Sequence, residues 1–358
     1  MLTVLVTGAA GLIGGEVCAR AVARGHRVVA MVHSNPLVRG NDGAVVPVAQ
    51  VVRGDVRAEM LGLDPAVLRP QVMVHCAAAL EFDAPEEVLH AVNVQGTAHA
   101  AAFARATGAR LLHVSTAYVC GLTEGPIADA PVAAGTRFAN RYEASKAAGE
   151  ALVRDSGVPF AIARPSIVLG ESDTGRVREF PSLCNVFRLL ARGKAGALPV
   201  RPGATLDLVP IDHVAAGIVF LAERMAAAAG GTFHLVSGNP LPAEALVHGV
   251  ARVAHFPDPC VIAPQDFALD ALPAAEQRLL GPLLATFGGY LTRDPRFSDH
   301  AFRAQGGAAC PPTDAAWLDR LIAYGIARGY LPAAPASGRR DNAVPADRAR
   351  PLPTAARP

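Results

Sequence analysis

No stretch of this sequence holds the ~18 consecutive apolar residues of a membrane-spanning helix. Mean hydropathy is nonetheless positive, at +0.28, because alanine and valine are frequent and are interrupted by glycine, arginine and glutamate. A soluble protein without a membrane span is expected. An excess of one charge is missing too: 33 basic residues face 31 acidic ones, for a net charge of +2. With those charges spread along the chain, no basic stripe marks a nucleic-acid or membrane surface, and small, neutral or weakly charged partners are expected. The cysteines Cys18, Cys76, Cys120, Cys184, Cys260 and Cys310 form no CxxC pair and no His/Cys cluster at metal spacing. That argues against a disulfide framework and against a metal site, and they read as reduced, mostly buried thiols. The strand-like segment Leu2–Val6 leaves no room ahead of it for a secretory leader, so the expected location is cytoplasmic.

What is present is an alternation. Strand-like runs at Leu2–Val6, Arg27–Val32, Gln50–Arg53, Val72–Cys76, Arg110–Val114 and Phe160–Ala163 are interleaved with helix-like segments at Leu12–Ala23, Glu86–Thr107 and Asn140–Ser156. The runs are apolar throughout, as strands covered on both faces must be. The predicted fold is α/β, a doubly wound parallel sheet of the Rossmann type, with a smaller C-terminal substrate lobe. Residues 1–165 form the expected dinucleotide-binding core. Residues 166–332, richer in irregular Gly, Pro and Ser stretches, form the expected lobe, with interleaved returns to the core. Residues 333–358 are Pro-, Ala- and Arg-rich, and a disordered tail is expected there.

The segment Val4–Gly14 reads as a strand, a glycine-rich turn and the start of a helix. Gly8, Gly11 and Gly14 let the backbone approach a pyrophosphate, and the N–H groups around Leu12 and Ile13 face it with the positive end of the helix dipole. At the end of the second strand, where an acid would bind the ribose of NAD, the chain has Met31-Val32-His33-Ser34-Asn35. His33, Ser34 and the following Arg39 can meet a phosphate, so NADP(H) is favoured over NAD(H). Asp55, in Gly54-Asp55-Val56, stands where an adenine amino group can meet it, or else caps a helix. Ala77 and Ala78, just beyond the fourth strand, complete this cofactor set.

Tyr142 and Lys146 stand four residues apart on one helix face. A free phenol, with a pKa of about 10, exchanges protons poorly near neutrality, and a neighbouring ammonium is expected to lower it. Ser115 and Thr116, at the end of the fifth strand, can hydrogen-bond a carbonyl oxygen as charge develops on it.

Together these residues resemble the extended short-chain dehydrogenase/reductase family: TGxxGxxG at Thr7–Gly14, Asn93-Val94-Gln95-Gly96-Thr97, the Ser115/Thr116 pair, and Tyr142 with Lys146. The resemblance implies Thr116 as the catalytic hydroxyl, Tyr142 as general acid, Lys146 as ribose-binding activator and Asn93 beside the cofactor. Three stretches, His113–Gly121, Ala163–Gly170 and Asp207–Val214, look most like fatty acyl-CoA reductases and thioester reductase domains. By that likeness Pro165, Ser166 and Ile167 line the nicotinamide. The implied activity is NADPH-dependent reduction of an acyl thioester, on CoA or a carrier protein, or of an aldehyde or ketone. A secondary-alcohol dehydrogenase or nucleotide-sugar epimerase using the same residues is the competing enzyme reading; a non-catalytic NADP sensor is the third. A homodimer is compatible with each. Cys120, near this site, reads as a packing residue rather than a covalent nucleophile.

Overall fold

The computed structural model describes residues 1–80 and 84–334. Seven strands make one parallel sheet: β1 (Thr3–Thr7), β2 (Arg27–Val32), β3 (Gln50–Arg53), β4 (Val72–His75), β5 (Arg110–Val114), β6 (Phe160–Pro165) and β7 (Thr232–Leu235). Their order is β7-β6-β5-β4-β1-β2-β3. Chain order reverses between β1 and β4, and it is outside the carboxyl ends of such a pair that open α/β sheets bind ligands.

Alternate residues of each strand face opposite sides. Val4 and Val6 therefore pack with Val17 and Ala21 of helix α1 (Leu12–Ala23), while Leu5 packs on the other side with Phe103 of α2 (Gly96–Thr107) and Val153 of α3 (Arg141–Asp155). Gly108 ends α2 in the left-handed conformation at φ +73°, which glycine reaches without steric cost. Asn140 starts α3 by accepting the Glu143 N–H at 2.8 Å. Glu143 reaches back to the Ala139 N–H at 3.0 Å, a near relative of the capping box.

The helix expected over Glu86–Thr107 is not continuous. It opens into a wide π-type turn over His90–Gln95, which buries Asn93. Thr97 Oγ1 holds the turn by donating to the Asn93 carbonyl at 2.7 Å. Gly149 of α3 packs directly on it: a Cβ there would lie 2.9 Å from the Asn93 carbonyl oxygen.

Two segments beyond residue 166 belong to the sheet. Helix α4 (Ile211–Glu223) covers the α1 side through Val214 and Ile218. Strand β7 pairs with β6, Thr232 lying opposite Ile162 and Leu235 opposite Pro165. Helices Cys184–Ala191, Ala274–Phe287 and Ala315–Ala327 enclose a separate core around Trp317, Phe187 and Leu318. Ala117 and Tyr118, from the turn after β5, are part of that core. The lobe is thus built onto the strand end that carries the candidate hydroxyls. The expected tail falls, apart from its first two residues, outside the described residues.

The cysteines are less uniform than expected. Cys18 and Cys184 are buried, Cys76, Cys120 and Cys310 are half-buried, Cys260 is exposed, and all six are free. No helix among the described residues is long and apolar enough to cross a membrane.

Candidate active site

The glycine turn after β1 is shaped by close approaches. Gly8 has φ +66°, and a Cβ there would lie 2.8 Å from the backbone of Ala77, at the end of β4. A Cβ on Gly14 would lie 2.3 Å from the Gly8 carbonyl oxygen. Gly11 caps α1 without a side chain, and the first turn, which begins at Leu12 and Ile13, holds no acidic residue. The positive end of that helix is left for an anion. From the lobe, Arg178 ties the turn down by donating to the Ala10 carbonyl at 3.0 Å and to the Arg39 carbonyl.

Beside the turn lies a cleft of about 330 Å³, whose lining includes Gly8, His33, Asp55, Val56, Arg57, Ala77 and Ala78. Asp55 caps no helix. Its carboxylate accepts from the Arg57 backbone N–H at 2.9 Å and from the guanidinium at 2.7 Å. Those bonds, more than any other influence, hold its pKa down to about 2. His33 Nε2 lies 3.5 Å from the same carboxylate and 3.4 Å from the Arg57 guanidinium. Ser34 is exposed and Arg39 donates to the Gly43 carbonyl at 2.8 Å; neither lines the cleft. The cation at this end is Arg57, which inspection of the second strand alone does not find.

At the end of β5 the Lys146 ammonium is held next in the chain to the candidate hydroxyls. Lys146 is 2% exposed and donates to the Val114 carbonyl at 2.8 Å. Burial lowers its pKa to about 8, against the opposing pull of Glu150. Ser115, the next residue, is buried, and its hydroxyl has no hydrogen-bond partner among the described residues. Thr116 caps the short turn Ala117–Cys120, its Oγ1 accepting from the Tyr118 N–H at 3.3 Å.

Tyr142 is half-buried in the first turn of α3. The expectation that Lys146 lowers its phenol is corrected here. Desolvation, and then the Glu143 carboxylate, push the phenol above its ordinary value, while the Lys146 ammonium is committed to a backbone carbonyl. The proton stays on Tyr142.

Asn93 fixes this helix to the end of β4. Its side chain accepts from the Ala79 N–H at 2.8 Å and donates to the Ala79 carbonyl at 3.1 Å and to Ser145 Oγ at 2.9 Å. Ser145 in turn donates to the Tyr142 carbonyl at 2.8 Å. Asn93 therefore ties the Ala79 backbone to the helix that carries Tyr142. Pro165 is buried at the end of β6, next to half-buried Ile167. The Ser166 hydroxyl is spent on Asp207 at 2.5 Å, and Asp207 also accepts from the Ser237 N–H at 2.9 Å. Ser166 thus contributes a fixed backbone. Cys120 has its thiol pushed up to about 12 by burial, which suits packing and not nucleophilic attack.

Two buried ion pairs frame the site. Arg293 joins Glu143 at 2.7 Å and donates to the Gly121 carbonyl at 2.5 Å, with its guanidinium carbon 4.6 Å from the Tyr290 ring centroid. Arg164 of β6 meets Glu150 of α3 at 2.8 and 2.6 Å.

The family model described as Male sterility protein matches residues 6–218. The chain is 31% identical over 270 residues to the 2-alkyl-3-oxoalkanoate reductase of Stenotrophomonas maltophilia, covering 72% of this chain and 77% of that protein. It is 27% identical over 210 residues to the aldehyde reductase lnaA of Aspergillus flavus, covering 52% of this chain but only 19% of that longer protein. In structure it resembles the terminal R domain from the myxalamid PKS-NRPS biosynthetic pathway. The TM-score is 0.79 at 26% identity, over 94% of this chain and 93% of that one.

Proposed function

This chain belongs to the male sterility protein family of extended short-chain dehydrogenase/reductases and is an oxidoreductase, and from that premise we propose that it uses NADPH to reduce an acyl thioester, or the aldehyde derived from it. The observation that carries the reading is the end of β5, where the buried Lys146 ammonium bonds the Val114 carbonyl next to the Ser115 and Thr116 hydroxyls, with the protonated Tyr142 phenol one turn earlier on the same helix. The cradle formed by Gly8 and Gly14 and the adjoining cleft fit a dinucleotide. Gly8, Gly11, Leu12, Ile13 and Gly14 would hold its pyrophosphate, Asp55, Val56, Ala77 and Ala78 its adenosine, and Lys146, Pro165 and Ile167 the nicotinamide end.

A bound reduced nicotinamide supplies hydride to the carbonyl carbon. Thr116 and Tyr142 orient the oxygen, and Tyr142 gives it a proton; its raised pKa suits a donor in the reductive direction. Lys146, charged below about pH 8, would hold the nicotinamide ribose. With a thioester, the tetrahedral intermediate then collapses, the proton on its oxygen passing to the departing sulfur, so that a thiol leaves and an aldehyde results. The likeness to a terminal R domain supports a thioester on CoA or a carrier protein as substrate. His33 and Arg57 at the ribose end of the cleft support NADPH over NADH.

The relative named 2-alkyl-3-oxoalkanoate reductase favours a second reading, reduction of a ketone. One panel separates the two: purified protein, NADPH or NADH, and acyl-CoAs, acyl-N-acetylcysteamines, alkanals and ketones, followed by loss of reduced-nicotinamide absorbance. Turnover of thioesters or aldehydes supports the first reading, and turnover of ketones alone the second. Nucleotide binding without turnover of any carbonyl would reject both.

A further inference from the structure

The segment Ala77–Leu80 is shared by two cavities. Ala77 and Ala78 line the cleft beside the glycine turn, whereas Leu80 lines a larger cavity of about 540 Å³, within the usual size range of small-molecule sites. Two chains of contacts link that cavity to α3. Ala79, next to Leu80, is gripped by Asn93, which also holds Ser145. Phe287, another lining residue, packs 6.3 Å from Tyr290, whose hydroxyl accepts from the α3 cap Asn140 at 3.3 Å. Tyr142 is two residues beyond that cap.

The lining is of mixed chemistry. Leu189, Leu283 and Phe287 make it apolar, and Leu80 and Leu279, 63% and 42% exposed, extend that character to the surface. Among them stands Arg188. Its guanidinium carbon lies 5.2 Å from the Tyr330 ring centroid, and Tyr330 is itself anchored by donating to Asn185 Oδ1 at 3.1 Å. No carboxylate pairs with Arg188 and no acceptor meets its N–H groups among the described residues. A guanidinium held by an aromatic face, with its donors unspent inside a half-buried apolar cavity, is a ready anion receptor.

We propose that this cavity receives the non-reacting part of the substrate, selecting a chain that is apolar along its length and bears one anionic group bound by Arg188. The assignment rests on the reductase reading for where the reacting carbonyl sits. The anion has two possible sources, a carboxylate at the far end of an acyl chain and the phosphate at the end of a pantetheine arm.

Calorimetry on the full chain with decanoate and with 1-decanol tests the site without any turnover. Decanoate should bind about tenfold more tightly, as one charge-assisted hydrogen-bonded pair provides. Arg188→Gln should remove that preference while leaving NADPH affinity unchanged. Leu279→Glu, at an exposed lining position, should weaken decanoate by repulsion and guards against a folding defect in the first variant. Equal binding of the two probes by the native protein, or a preference that survives Arg188→Gln, would overturn the proposal. Turnover then separates the sources. A KM raised by Arg188→Gln for an acyl-CoA, but not for the same acyl group on N-acetylcysteamine, assigns the phosphate. A KM raised for an ω-carboxyalkanal, but not for the plain alkanal, assigns the carboxylate. Should the calorimetric preference hold while no carbonyl is reduced, the reductase reading falls and the anion site stands.

Discussion

Arg293 and Glu143 meet at 2.7 Å in the interior, 3% and 0% exposed, although 150 positions separate them in the chain. The pair joins the lobe to the first turn of α3, and the same guanidinium holds Gly121 at the end of the Thr116 turn. Removing one partner strands a buried charge. Arg293→Met should therefore cost about 3–5 kcal/mol, and the double change with Glu143→Gln should cost less than the sum of the two single ones. Urea unfolding of the four proteins measures this, and additive losses would show that the pair is not coupled.

Tyr142→Phe keeps the ring and removes the hydroxyl proposed as proton donor. Turnover should fall by about 10²–10⁴-fold, the usual contribution of a positioned acid, with NADPH affinity retained. Stopped-flow turnover and calorimetry read the two quantities separately. A Phe variant as active as the native protein would remove Tyr142 from the mechanism.

The pH profile should report Lys146, not Tyr142. Burial lowers the ammonium to about 8 and raises the phenol. The proposed mechanism uses the charged form, so kcat/KM should decline as pH rises through about 8. Stability should move the other way. Between the folded value and an unfolded value of about 10.4, the unfolded chain binds more protons, so stability rises with pH across that window and is flat below it on this account. Thermal unfolding of native protein and Lys146→Met across the window should show the rise in the first and its absence in the second.

The glycine turn orders its own substitutions. Gly14→Ala brings a methyl to 2.3 Å from the Gly8 carbonyl oxygen, whereas Gly11→Ala brings one to 3.2 Å. The first should cost about 1–3 kcal/mol and abolish dinucleotide binding, and the second should cost less. Chemical denaturation with cofactor titration ranks them, and the opposite ranking would mean that the turn relaxes on binding.

Arg57→Ala should raise the KM for NADPH by about tenfold and leave that for NADH almost unchanged, because only the former carries the added phosphate. Equal effects on both cofactors would place Arg57 away from that phosphate.

The parallel sheet and the glycine turn were legible because their signals are local. Apolar runs bounded by turns mark β1, β2, β4 and β5, and Thr7–Gly14 carries its own spacing. Asn140 and Glu143 also carried a local signal, since an Asn followed three residues later by Glu marks a helix start. Arg57, Arg178 and Arg293 were not legible, because their roles exist only where distant segments meet. Nor did spacing foretell the state of the Tyr142 phenol: i and i+4 place two groups on one face but do not fix the burial that dominates the titration. Strand β7 is short and follows a helical lobe segment, so its place beside β6 rests on tertiary pairing.

That late strand has a consequence for how the molecule is made. A ribosome that has released the chain through Pro165 has produced six strands, the last of them offering bare amide and carbonyl groups to any other extended chain. Helix α4, which shields one face, is equally delayed. Until residues 211–235 emerge, the nascent polypeptide depends on prompt elongation or on a chaperone's shelter. A gene shortened to residues 1–165 would yield clumped material, not a working module.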